Sequence, residues 1–125
     1  MNIEVGLKGH QEILVTKDNI AGAANSNEFQ VFATPFMIGH MEETCSVAML
    51  PLLDEGYGSV GTHVDVYHTG AAPIGHTVCA DCEVIEVDGR KVTFKVSAYD
   101  EKGEIGHGIH ERFIVNIENF MKKHV

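Results

Sequence analysis

The sequence predicts an α+β fold in which an antiparallel sheet wraps one long central helix. Three observations carry that reading. One helical stretch, Pro35 to about Leu50, is apolar nearly all round, the mark of a buried helix. The residues after it switch to period-two patterning broken by tight turns. The chain has 125 residues, enough for one domain with a real core and too few for two, so a sheet from the same domain must cover the helix.

The elements follow in order. Ile3 to Val15 reads as one or two short strands, broken near Lys8-Gly9. Thr16 to Gln30 carries turn residues and small side chains (Asn19, Gly22, Asn25, Ser26, Asn27) and reads as an irregular segment able to cover a site. Thr34 is placed as the helix N-cap, and Pro35 suits the first helical position, where its missing N–H costs nothing. Pro51 helps end the helix.

At 100° per residue, Ile38, Met41, Glu42, Cys45, Met49 and Leu52 share one side, and Phe36, Val47 and Leu50 lie roughly opposite. Val60, Thr62, Val64 and Val66 then alternate with Gly61, His63, Asp65 and Tyr67 in a first long strand. A second strand runs from about His76 to Val87. Asp88-Gly89 signals a two-residue hairpin, and a third strand runs from Lys91 to Tyr99. Asp100 to Gly103 is a further turn. A last strand spans Glu104 to about Ile117, and a short amphipathic tail, Glu118 to His124, closes the chain.

Bulk properties exclude several function classes. A net charge of −9 with no basic run argues against nucleic acid or an anionic membrane as partner. No apolar run is long enough to span a bilayer, and Met1 to Val5 lacks the features of a signal peptide, so the expected location is the cytoplasm. The odd cysteine count (Cys45, Cys79, Cys82) fits a reducing compartment. An anionic ligand would need a local cationic cluster, for which Arg90, Lys91, Lys95 and Lys102 are the candidates.

Few residues stand out chemically. Glu42 lies on the apolar stripe of the helix, where a carboxylate must be paired, hydrogen-bonded or shifted in pKa. A stripe-edge glutamate reaching solvent fits the pattern equally well. His68 ends the first long strand on the face of Val64 and Val66, before the small residues Thr69-Gly70-Ala71-Ala72 that leave room for a ligand; a histidine bonding a turn is the plainer alternative. Thr34 precedes Glu42 by eight residues, roughly 12 Å along the axis at 1.5 Å per residue, so the two can flank a small substrate without touching.

Metal readings are weaker. Cys79 and Cys82 have C-x-x-C spacing but lie on a predicted strand, where residues three apart point to opposite faces. His107 and His110 fail for the same reason. Gly56 to Gly61 opens a strand rather than a helix, so it is no phosphate loop, although its backbone N–H groups could still meet a carbonyl oxygen.

Three segments resemble a known family. Val31-Phe32-Ala33-Thr34-Pro35-Phe36-Met37-Ile38-Gly39-His40-Met41-Glu42 is similar to the segment that begins the helix in the fluoroacetyl-CoA thioesterase family. Gly58-Ser59-Val60-Gly61-Thr62 with Val66-Tyr67-His68-Thr69-Gly70-Ala71 resembles its next segment, and Gly108-Ile109-His110-Glu111-Arg112 a third. The similarity runs from about Val31 to Phe120.

The resemblance implies a hotdog fold, a curled antiparallel sheet wrapped around one long central helix. It also implies hydrolysis of an acyl-CoA without a cofactor or a metal, and a homodimer with sites near the subunit interface. By position, Thr34, Glu42 and His68 match the family's catalytic threonine, glutamate and histidine. Gly61 matches a glycine whose backbone holds the thioester carbonyl, and Arg112 a supporting arginine. An aromatic lid precedes the threonine in the fluoroacetyl-specific member. Here that segment is shorter, and Phe29 and Phe32 are the nearby aromatics expected to meet substrate. The alternatives are a non-catalytic acyl-CoA or small-ligand binding module and a dehydratase on the same fold.

Overall fold

Alternation along two strands decides which way the sheet faces. In the computed structural model, which describes residues 1–21 and 29–125, Val78, Ala80, Cys82 and Val84 of one strand are buried, as are Val92, Phe94, Val96 and Ala98 of its neighbour. The residues between them point outward, as the pleat requires. The buried row faces a single long helix.

The elements are β1 (Lys8–Leu14), α1 (Thr34–Met49), β2 (Tyr57–His68), β3 (Thr77–Asp88), β4 (Lys91–Asp100), β5 (Gly103–Asn116) and α2 (Ile117–His124). A 3-10 turn, Leu50–Leu52, extends α1. The five strands form one antiparallel sheet in the order β1-β3-β4-β5-β2, leaving β1 and β2 at the two edges. Met37, Met41, Cys45 and Met49 of α1 pack into the core with the inner rows of β3 and β4 and with Ile105 and Ile114 of β5.

The α+β reading and the order of elements hold, with local differences. The first strand begins at Lys8, and Ile3 to Leu7 lies outside it. The two-residue loop between β3 and β4 is Gly89-Arg90, because Asp88 pairs with Lys91; Gly89 supplies the positive φ of +61°. The helix is not buried all round. Five strands cover one side, and Phe36, Val47 and Leu50 on the other are roughly half exposed. The covering segment expected over Thr16 to Gln30 includes residues 22–28, which lie outside the described residues. Its flanks make two isolated bridges, Ile20 with Phe32 and Val31 with Pro73.

Candidate active site

Helix α1 and the end of β2 position the first pair of polar side chains. Thr34 is the first residue of α1, with Pro35 directly after it. The N-cap is Ala33, and no side chain caps the helix, so the capping role expected of Thr34 is not met. Its hydroxyl goes elsewhere: Thr34 Oγ1 lies 2.6 Å from Nδ1 of His68, which ends β2. The other ring nitrogen, His68 Nε2, is buried and has no hydrogen-bond partner among the described residues. An unmet buried polar atom carries its full desolvation cost, which a bound group able to pair with it would relieve.

A second group forms farther along both elements. The Glu42 carboxylate lies against Gly61: a Cβ built there would fall 2.7 Å from Glu42 Oε2. No side chain fits at position 61 with the carboxylate where it is. Arg112 Nη1 is 3.7 Å from the same oxygen, and His110 Nε2 is 4.0 Å away. Both partners are held from behind. Arg112 Nε donates to Ser59 Oγ at 2.8 Å, and its Nη2 to the Ser59 carbonyl at 2.9 Å. His110 Nδ1 donates to the His63 carbonyl at 2.8 Å, which leaves Nε2 to accept from Arg112 Nη1 at 3.2 Å. Burial pushes the His110 pKa down, and the Arg112 guanidinium beside it works in the same direction, so the imidazole stays neutral at pH 7. A neutral ring lets Arg112 supply the cation at Glu42.

One irregularity in β2 sets both groups on the helix side of the sheet. Gly61 pairs with Arg112 and His63 with Glu111, so Thr62 is an extra residue. Before it, the odd-numbered Tyr57 and Gly61 face inward. After it, the even-numbered Val66 and His68 do. Strict alternation, the expectation for this strand, would put Gly61 and His68 on opposite faces.

Of the three residues matched to the family's catalytic positions, the chain brings Thr34 and His68 together and places Glu42 with Gly61 and Arg112. The two stations lie apart, by about 12 Å along α1 and about 20 Å along β2 at the usual rise per residue. Phe29 is exposed, whereas Phe32 is in the core at 1% exposure with its ring edge-on to His40. The roles of Ser59 and His110 at this station escaped the sequence reading, which weighed His110 only as a metal ligand. Their signal was parity, since Ser59 lies two residues before Gly61 and His110 two before Arg112, each pair on one face.

The four candidate cations do not form one cluster. Arg90 lies over the Tyr57 ring, Lys91 pairs with Glu111 and Lys95 with Glu83. Lys102 sits in the turn beyond the opposite end of β4 from Lys91. Cys79 and Cys82 part as the pleat dictates, Cys82 into the core and Cys79 outward. His107 pairs with Glu104 on the surface while His110 is buried, so those two do not converge. Among the described residues, one group has metal-ligand spacing, His10, Glu12 and Cys79 on the outer face of the sheet.

Comparisons with known proteins agree with this fold. A family model described as fluoroacetyl-CoA-specific thioesterase matches residues 15–118. A fluoroacetyl-CoA thioesterase of Streptantibioticus cattleyicolor is 48% identical over 94 residues, 75% of this chain and 68% of the relative. The solved structure of the fluoroacetyl-CoA thioesterase FlK superposes with a TM-score of 0.89 at 40% identity, covering 98% of this chain and 96% of that one. A variant of FlK solved with fluoroacetate and CoA gives a TM-score of 0.87 at 39% identity, covering 94% and 99%.

Proposed function

The chain belongs to the fluoroacetyl-CoA-specific thioesterase family of hotdog-fold acyl-CoA thioester hydrolases, and from that membership we propose that it cleaves a short-chain acyl-CoA to free acid and CoA. A halogenated or otherwise activated acetyl group fits the family best. The observation that carries the site assignment is the Thr34–His68 pair with its unmet, buried Nε2.

In the proposed reaction, His68 Nδ1–H donates to Thr34 Oγ1, which leaves Nε2 free to accept. Nε2 faces the reacting group, takes the proton released by the attacking water and, as imidazolium, gives it to the departing thiolate. Glu42 is the nucleophile, or the base that activates water, with Arg112 fixing its carboxylate. The Gly61 backbone N–H steadies the oxyanion at the carbonyl. Phe29 is one exposed aromatic available to the acyl group; Phe32 lies in the core.

The working unit we propose is a homodimer in the cytoplasm, in which residues 1–125 of each chain form one domain. The three unpaired cysteines support a reducing setting. β2 is a twelve-residue edge strand, and a long free edge invites pairing with another copy. Antiparallel self-pairing of β2 centred between Gly61 and His68 would bring the Glu42 station of one subunit to the Thr34–His68 station of the other. That removes the separation found within one chain and makes each site a shared one.

Release of free thiol across a short acyl-CoA panel, with fluoroacetyl-CoA and acetyl-CoA side by side, tests the activity. Turnover that disappears in both Glu42→Gln and His68→Ala supports the assignment. Wild-type turnover in both variants would remove it. Binding without thiol release would mark a ligand-binding module, and water addition to an enoyl-CoA would mark a dehydratase. Single-turnover hydrolysis in labelled water separates the two roles of Glu42, since only a covalent anhydride carries label into its carboxylate.

A further inference from the structure

The outer face of the sheet, away from α1, holds a cluster that thioester chemistry does not use. β1 and β3 pair with His10 opposite Asp81 and Glu12 opposite Cys79. His10 and Glu12 are two apart on one strand, and Cys79 and Asp81 two apart on the other, so all four side chains leave the same face. His10 Nδ1 is 2.5 Å from Asp81 Oδ1, and His10 Nε2 is 3.0 Å from Glu12 Oε2. One ligand atom from each of His10, Glu12 and Cys79 lies within 4.8 Å of the others.

We propose that His10, Glu12 and Cys79 form a site for a divalent transition-metal ion of the zinc class, with Asp81 orienting the His10 ring. Imidazole nitrogen, thiolate sulfur and carboxylate oxygen together select Zn²⁺ or Co²⁺ over Mg²⁺ or Ca²⁺, which prefer oxygen alone. An ion about 2.0–2.3 Å from each ligand sets tetrahedral ligand separations of about 3.3–3.8 Å. These exposed or half-exposed side chains need to close by only about 1 Å to reach it. The His10–Asp81 contact is the carboxylate–imidazole arrangement that fixes the tautomer of a metal-bound histidine. It leaves Nε2 facing Glu12, where the ion would replace the shared proton. The fourth position is open to water.

The site is open to an ion: His10 and Glu12 are exposed and Cys79 is half-buried. Cys79 does not partner Cys82, its C-x-x-C neighbour, as their places on the strand predict. Its partners sit on the edge strand β1, and an ion there would tie β1 to β3.

Titration of the untagged full-length protein with Co²⁺, followed by Zn²⁺ competition, tests this. The expected results are one ion per chain, a cobalt–thiolate charge-transfer band, and a rise in Tm. Cys79→Ser should abolish the band, and His10→Ala should weaken binding by more than tenfold. Asp81→Asn should weaken it about 10- to 100-fold while leaving the band in place at saturation. His107→Ala, outside the cluster, should change neither. Cobalt binding without a thiolate band would overturn the proposal. So would an affinity unchanged in His10→Ala or Cys79→Ser, or an equal loss in His107→Ala.

Discussion

Thr34 Oγ1 and His68 Nδ1 meet at 2.6 Å, joining the first residue of α1 to the last residue of β2. The contact spends the threonine hydroxyl on a ring nitrogen instead of on the helix terminus.

That choice separates two effects of mutating Thr34. Thr34→Val should cost no more than about 1 kcal/mol in unfolding free energy, the net worth of one hydrogen bond. Turnover should fall about 10²-fold or more, because the histidine loses the group that sets its tautomer. Thr34→Ser keeps the hydroxyl and should keep most of the activity. Urea unfolding and steady-state kinetics on the same three proteins check both halves. Equal losses in Val and Ser would show that the hydroxyl is not what matters.

The shared-site reading predicts complementation. Glu42→Gln and His68→Ala, each inactive alone, should recover about a quarter of wild-type activity when mixed and allowed to exchange subunits, since half the dimers are mixed and each has one intact site. A mixture that stays inactive, with exchange demonstrated by mass, would assign each site to a single subunit.

Gly61→Ala tests the close approach at the second station. The new Cβ would fall 2.7 Å from Glu42 Oε2 and 3.1 Å from His110 Cε1. A partly exposed carboxylate can swing away cheaply, so the stability change should stay under about 1 kcal/mol. The displaced Glu42 should lower kcat about 10²-fold with little change in KM. A variant with full kcat would show that the carboxylate position is not critical.

Buried histidines set the acid limb of stability. His110 and His40 both have pKa values lowered by burial from the ordinary 6.5. Their unfolded forms bind protons first, so the stability they permit is complete above 6.5 and is lost as pH falls below it toward their folded values. The Asp100 pKa is lowered by its hydrogen bond to His76, which adds a further loss at more acid pH, once that carboxyl protonates. His10 runs the other way: its raised pKa favours the fold at low pH, weakly because the ring is exposed. The urea midpoint should therefore drop from about pH 7.5 to 5.5, and His110→Gln should flatten the drop.

Much of this was legible from local pattern. The helix, the turns and the strand order along the chain follow from periodicity and turn chemistry, which need only neighbouring residues. Glu42 was conspicuous because a carboxylate on an apolar stripe is a local anomaly. Three things escaped for a shared reason. The Thr34 hydroxyl finds its partner 34 residues away, so capping was the best local reading. His110 gains its meaning from the pairing of β5 with β2, a register that no short window contains. The outward Cys79 meets His10 and Glu12 only because β1 crosses to the far edge of the sheet.

The extra residue at Thr62 makes β2 a strand with two phases. Residues before it and residues after it read inward on opposite parities, and both phases are in use at once. A one-residue deletion there is therefore a different lesion from a substitution. It would restore strict alternation and turn one end of the strand inside out, exchanging either the Gly61 station or the His68 station for its outward neighbour. Length between these two positions is under tighter constraint than the identity of Thr62 itself. Homologues should thus vary the residue at that position while keeping the spacing from Gly61 to His68 fixed.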